Sequence, residues 1–501
     1  MIDRPVGIRS LAVSFPSQIR TNDYWIEKYP QLLAKTQPRR TRSYMPAEST
    51  IDNGLDIWSQ EVAPYLSDPF RGNVERRVLG ADESALMLEY RAARDALERA
   101  NLSPDRVELT IVTSLFCEQI GLGNAAYLAR QLELCCPAWN LESTCSSALV
   151  ALQNACALVQ AGEYRNVLVV VSHIGSDAVD EQDTLSWSMG DGAGAFVVDA
   201  LKPSQGIIAT KIVNTVATCD AYLHELVIDA QGMPRMRTRT GENASAIAET
   251  AVEFVRICCE GAVAAAGLTL EQIDFFAFNT PTAWYASVCA RALGIDPQRT
   301  INLYPRYANI GPVFPVANLY HAALAGKIRE NDLVLVYTNG ATATAAATVM
   351  RWGDVVLGSL PAPAIAVTGE IHQPRKISFS RQQACFSSEK FVSASPKERR
   401  QMLETYILEW LASSLQLPIT QLNSDLYLAE LLDSLMAFEL RRRIEADLHV
   451  RVPIERFFGE NNVAQLAELL LNQLALTNLI ASESATDTSS NQGQEREKLS
   501  L

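Results

Sequence analysis

Two stretches of this chain carry the same order of apolar and polar positions. Residues 96–112 (ALERANLSPDRVELTIV) and 262–278 (AVAAAGLTLEQIDFFAF) each read as the end of an amphipathic helix, a small polar break and an apolar strand. Leu102 matches Leu268, Ser103 matches Thr269 and Val107 matches Ile273, each pair 166 residues apart. The same offset relates VLVVV at Val167–Val171 to LVLVY at Leu333–Tyr337. Strands that are apolar throughout are buried on both faces, as they are between helix layers, so the pattern predicts a duplicated α/β unit. The body covers residues 1–355, with pseudo-repeats over about 1–200 and 201–355.

The pattern changes after Trp352. Residues 356–395 are turn-rich, with Pro361, Pro363 and Pro374, and read as a linker that could contribute an extra strand or arm. Periodicity returns over 396–477, where Leu440, Ile444 and Leu448 share one helix face, so this region is expected to be a small all-α domain. Residues 478–501 end in a polar, aromatic-free stretch expected to be disordered.

Composition narrows the class. At 501 residues the chain is long enough for about three folding units. A formal net charge of −14 argues against nucleic-acid and anionic-membrane partners. No run of about 18 apolar residues predicts a membrane span. Ten cysteines without a C-x-x-C pair fit neither a disulfide scaffold nor a metal site. The adjacent thiols Cys135–Cys136 and Cys258–Cys259 suit a reducing, cytoplasmic setting.

One cysteine stands out. In NLESTCSSAL (Asn140–Leu149), a strand end and small residues lead into a helix from Ser146 to about Gly162, which places Cys145 at a helix N-terminus. Free backbone N–H groups and the helix dipole would favour its thiolate there. From the local sequence alone, Cys145 reads equally as one buried thiol among ten.

Further motifs carry a resemblance. They are IRTND at Ile19–Asp23, the TCSS turn at Thr144–Ser147, GDGAGA at Gly190–Ala195 and RYANIGP at Arg306–Pro312. In this order they resemble the thiolase fold, and within it the β-ketoacyl-ACP synthase III branch. The resemblance implies a duplicated αβαβα body, with Cys145 as the acyl-accepting nucleophile and Asn309 as a hydrogen-bond donor to the second substrate. GDGAGA is not a dinucleotide loop, because no helix follows it; tight backbone packing is its expected role.

Where the family has a histidine, this chain has Asn279, in FNTPTAW. Asparagine donates a hydrogen bond but shuttles no proton at neutral pH. The family's three-glycine loop is Gly340-Ala341-Thr342 here, and the backbone amides of Cys145 and Thr342 are the expected oxyanion-hole donors. His173, His224 and Glu118 are candidate auxiliary bases, and each reads equally as structural.

The C-terminal region resembles a polyketide-type acyl carrier protein, with YLAELLDSLMAFEL at Tyr427–Leu440 and further helices around RVPIERFF and from Asn462 to Leu474. The resemblance implies 4'-phosphopantetheine attached to Ser434, at a helix start where the dipole favours a phosphate ester. Leu431 departs from the usual glycine before Asp433, and a plain capping role for Ser434 is the alternative.

A condensing-type body is thus joined to its own carrier. A flexible tether of about 40 residues spans about 35 Å and gives effective concentrations on the order of millimolar. The expected partners are acyl-CoA or acyl-ACP substrates, a phosphopantetheinyl transferase, other pathway enzymes docking on the carrier, and a second copy in a homodimer. Three readings follow: a carbon–carbon bond-forming synthase of polyketide or fatty-acid-like secondary metabolism, an acyltransferase or lactone- or ester-forming enzyme on the same fold, and an idle carrier platform. The intact nucleophile turn argues against the third.

Overall fold

The computed structural model describes residues 5–35, 54–65, 67–228, 234–363 and 365–367 of the body. Further on it describes residues 391, 394–415, 418–428, 432, 440–441, 443–445, 447–448, 450, 452, 454–457 and 461–486. The chain divides into two compact units, Met1–His372 and Gln373–Leu501.

The first unit contains the duplication. One sheet places in order β14 (Val356–Leu357), β1 (Val6–Ser14), β7 (Asp191–Ala200), β6 (Val167–Ile174), β4 (Thr110–Leu115) and β5 (Ala138–Asn140). A second places β11 (Phe275–Phe278), β12 (Leu333–Asn339), β13 (Thr344–Arg351) and β8 (Gly206–Asn214). The run β1-β7-β6-β4 corresponds to β8-β13-β12-β11: β4 and β6 pair in parallel, as do β11 and β12, and the remaining pairings are antiparallel. β6 and β12 begin at Val167 and Leu333, which is the offset seen in the sequence.

Between the sheets lie the helices Ser147–Ala161 and Phe314–Leu324, in one core with inward side chains such as Val169, Val171, Val334 and Val336. The helix Ala85–Arg99 covers the outer face of the first sheet, and Ser245–Ala265 that of the second. These are the five layers of a thiolase-like α/β fold. Burial on both faces explains why β6 reads VLVVVSHI, without the alternation of a half-exposed strand.

The expected linker needs correction. β14 pairs in parallel with β1, and β15 (Ile365–Val367) in parallel with β2 (Gln18–Thr21), whose other neighbour is β3 (Glu75–Val78). Short apolar pieces between prolines satisfy open strand edges there, so residues 356–367 belong to the body.

In the second unit, the helices Pro396–Leu415 and Val463–Thr486 share a core with Leu428, Leu440, Ile444, Val452 and Phe457. The last helix runs beyond residue 478, where disorder is expected, because Leu, Ala and Glu continue a helix readily. Residues 487–501 lie outside the described residues.

Candidate active site

Cys145 sits in a single 3₁₀ turn, Thr144–Ser146, that runs into the buried helix Ser147–Ala161. Thr144, just before it, has φ of 48°, a left-handed conformation that a β-branched residue keeps only when held. Thr144 N–H donates to Glu142 Oε1 at 2.5 Å, and Thr144 Oγ1 donates to Ala341 O at 3.1 Å. Ser146 Oγ donates to Thr344 O at 2.6 Å, and Ser143 Oγ lies 2.7 Å from Thr344 Oγ1. The turn is clamped to the loop after β12. Gly340 permits the clamp: a Cβ there would fall on Thr144 Oγ1 and lie within 2.8 Å of Ser143 O. Gly340→Ala is expected to cost about 1–3 kcal/mol of stability and to slow acylation of Cys145. Denaturant titration and loading rates on the same protein check both.

The thiol does not behave as its helix position suggests. Burial pushes it up to about 12, the Glu142 carboxylate adds to the rise, and the Asn279 amide and the residue's own N–H oppose it without cancelling it. Cys145 as a whole keeps some solvent contact, but its sulfur has the environment of the interior. Loss of water works against the expected effect of the helix terminus and holds the thiol above its ordinary range.

Asn279 follows β11 and is 1% exposed, with its backbone N–H donated to Tyr337 O at 2.9 Å. Its side chain acts on the Cys145 thiol, yet neither Nδ2 nor Oδ1 makes a hydrogen bond of good geometry. The same loop holds further buried polar atoms without a partner: Thr280 Oγ1, Thr282 Oγ1 and Trp284 Nε1. Buried polar groups are ordinarily satisfied, so such a concentration in one loop marks a place prepared for a ligand.

Asn309 is positioned by backbone and side chain together. Its N–H donates to Ser188 O at 2.8 Å, and its carbonyl accepts from Gly190 N–H at 3.1 Å. Oδ1 accepts from Gly311 N–H at 2.9 Å, which leaves Nδ2 as the group that can donate to a substrate. Gly190, the first glycine of GDGAGA, allows this approach, since a Cβ there would lie 2.0 Å from Tyr307 O. Ala308, the preceding residue, has φ 55° and ψ −154°, a region normally kept for glycine.

Asn309 opens onto a cavity of about 620 Å³, with Trp187, Met189, Tyr222, Thr282 and Trp284 among its walls. Burial raises the Tyr222 phenol, and its interaction with Cys145 would raise it further were the thiol ionised, so Cys145 lies near this wall. Sequence reasoning missed Tyr222, Trp187 and Trp284. The signal for the last was the small polar run after a buried strand, in FNTPTAW.

Of the other candidates, His173 packs against Gly190 and Gly311, the two glycines bonded to Asn309. His173, at the end of β6, is 2% exposed; its Nδ1 lies 2.8 Å from Gly190 O, and burial lowers its pKa to about 4. His224, on β9 (Tyr222–Ile228), meets Thr238 Oγ1 at 3.0 Å, and burial lowers its pKa too. Glu118 accepts the Leu86 N–H at 2.9 Å at the start of the helix Ala85–Arg99, and it lines a different cavity with Phe116 and Arg235. The Thr342 amide, expected in the oxyanion hole, donates to Thr218 Oγ1 at 2.9 Å. Gly340 N–H and Ala343 N–H are also taken, and Ala341 N–H is the amide of this loop without an acceptor among the described residues.

Ser434 lies outside the described residues, as do His372 and His449. Leu432 and Leu440 are buried.

Five layers, a cysteine elbow between two sheets, Asn279 beside its thiol and Asn309 on the cavity wall are the features of a thiolase-type condensing body. Residues 139–215 match the family described as 3-oxoacyl-[acyl-carrier-protein (ACP)] synthase III, and residues 263–352 match that family's C-terminal part. Residues 405–470 match the phosphopantetheine attachment site. The chain thus has a β-ketoacyl-ACP synthase III-like body followed by a phosphopantetheine-binding domain, which carries that group covalently on a serine. The β-ketoacyl-[acyl-carrier-protein] synthase III of Aquifex aeolicus is 27% identical over 286 residues, 56% of this chain and 89% of that protein. That of Brucella suis is 27% identical over 288 residues, 56% of this chain and 87% of that protein. The synthase III structure from Thermus thermophilus matches with a TM-score of 0.56 at 26% identity, covering 69% of this chain and 99% of that one. OleA from Xanthomonas campestris has a TM-score of 0.54 at 19% identity, covering 70% and 99%, a likeness of fold. Among the described residues no helix is long and apolar enough to cross a membrane.

Proposed function

We propose that Cys145 accepts an acyl group from an acyl-CoA or acyl-ACP thioester, and that the body joins it to a second acyl thioester held on the chain's own carrier, in polyketide or fatty-acid-like secondary metabolism. The observation that carries this reading is the buried Asn279 amide, unsatisfied beside the Cys145 thiol. Cys145 Sγ bonds to the acyl carbon, and its proton leaves with the departing thiol. The Cys145 N–H, joined by the free Ala341 N–H in place of Thr342, faces the acyl oxygen. Asn279 and Asn309 Nδ2 donate to the carbonyl of the second thioester and stabilise the enolate left when its α-carboxylate departs as CO2; the α-carbon then bonds to the acyl carbon as the bond to Cys145 Sγ breaks and the sulfur takes a proton from solvent. Ser434 would hold the phosphopantetheine, whose terminal thiol carries the acyl group.

The neutral pair favours a second reading, acyl transfer to an oxygen nucleophile or a non-decarboxylative joining, because no imidazole stands at position 279 to move a proton. In either case Asn279 adds no ionisation near pH 6.5 to the rate profile. Asn279→Ala is expected to lower turnover by about 10²-fold through loss of one donor, with Cys145 still acylated. Asn279→His separates the readings. If the native reaction is decarboxylative, the histidine preserves or raises decarboxylation of a malonyl thioester; if it is not, the histidine creates that activity and damages the native one. Product analysis by mass spectrometry with phosphopantetheinylated full-length protein makes the measurement. Unchanged turnover in Asn279→Ala removes this residue from the site.

A homodimer is supported by the sheet edge. β5 ends the six-stranded sheet, with Trp139 39% exposed and Leu122 nearby 74% exposed. A second copy paired there would cover an apolar strand edge that is otherwise a liability.

A further inference from the structure

Glu142 brackets the nucleophile. Its Oε1 accepts the Thr144 N–H at 2.5 Å on one side of Cys145 and the Ser147 Oγ at 3.1 Å on the other. Ser147 Oγ in turn accepts the Ser143 N–H at 2.7 Å, and its single proton is shared between Glu142 Oε1 and the nearer Thr144 O at 2.8 Å, so the carboxylate ties into the turn mainly through the Thr144 N–H. Thr144, which makes that bond, is the residue with φ of 48°. The carboxylate also acts on the sulfur as a like charge in a site poor in water, where such repulsion is strong. Among the described residues, Glu142, Asn279 and Tyr222 interact with the thiol, and burial raises the Glu142 carboxyl as well. Cys117 also feels Glu142, along with the buried Glu89.

We propose that Glu142 is a positioning residue of the nucleophile turn, whose carboxylate holds residues on either side of Cys145 and places a negative charge beside its sulfur. The proposal rests on Cys145 being the acylated residue. Position and charge are two effects of one side chain, and two substitutions separate them. Glu142→Gln keeps an acceptor for the Thr144 N–H and removes the charge; Glu142→Ala removes both.

The sign follows from the neighbouring charge. A negative group beside a thiol disfavours the thiolate, so neutralising it lowers the pH at which the thiol ionises. The test is iodoacetamide alkylation of the full-length protein across pH, mapped to Cys145 by peptide mass. In Glu142→Gln the profile is expected to move to lower pH by about one unit or more, with acyl loading within a few-fold of the unmutated protein. Glu142→Ala should show the same move in alkylation and a loss of loading of about tenfold or more, restored in Glu142→Gln. An unmoved profile in Glu142→Gln overturns the proposal. So does lower Cys145 reactivity at every pH, because the carboxylate would then be the proton acceptor. If the unmutated protein never takes an acyl group on Cys145, the functional reading has failed, and the alkylation profile still reports on Glu142 separately.

Discussion

Cys145→Ala protein is expected to take up no acyl group in residues 1–372 and to form no product, while the carrier still accepts phosphopantetheine. The sulfur is the one atom in the turn that can form the thioester, and every bond that shapes the turn comes from its neighbours. The alanine variant should therefore fold with the clamp intact. Loss of a covalent nucleophile commonly lowers turnover by several orders of magnitude, on the order of 10⁶ in well-studied cases. Incubation with candidate acyl thioesters, followed by intact-mass analysis and peptide mapping, makes the comparison. An acyl group that still maps to the body of this variant places the nucleophile elsewhere.

Ser434→Ala is expected to have an equally complete effect at the other end of the chain. Phosphopantetheine transfer needs a hydroxyl, and alanine has none, so no gain in mass should follow treatment with coenzyme A and a promiscuous transferase. Acylation of Cys145 from a free acyl-CoA should persist, because the body has its own core. Product formation that draws on the carrier-bound partner should stop. A phosphopantetheine adduct on the variant, or none on the unmutated protein, would falsify the assignment of Ser434.

The duplication was legible because continuous burial leaves a mark that survives divergence. VLVVV and LVLVY became β6 and β12, and IDFFAF became β11. The elbow was legible too, since small residues before a helix announce a close approach. What sequence could not show was the balance of solvation. Nothing in ESTCSS says that burial opposes the helix terminus at Cys145, or that Glu142 folds back onto the turn. The Thr342 amide was misjudged for a similar reason: its acceptor, Thr218, lies 124 residues earlier and meets it only through the fold. An extra strand was expected after Trp352, but β14 and β15 could not be placed because strands of two and three residues have no period to detect.

The 3₁₀ turns Thr144–Ser146 and Gly311–Val313 touch one another at the heads of the two central helices. By the 166-residue offset, Gly311 occupies in the second copy the place of Cys145 in the first. The two halves thus differ at equivalent places, one with a sulfur in its turn and the other with Asn309 just ahead of its turn. Each helix start contributes roughly half a positive charge, and the two meet near one point. At the first start the Glu142 carboxylate, bonded to the Thr144 N–H, takes up part of that field, while at the second the Gly311 N–H meets the neutral Asn309 amide.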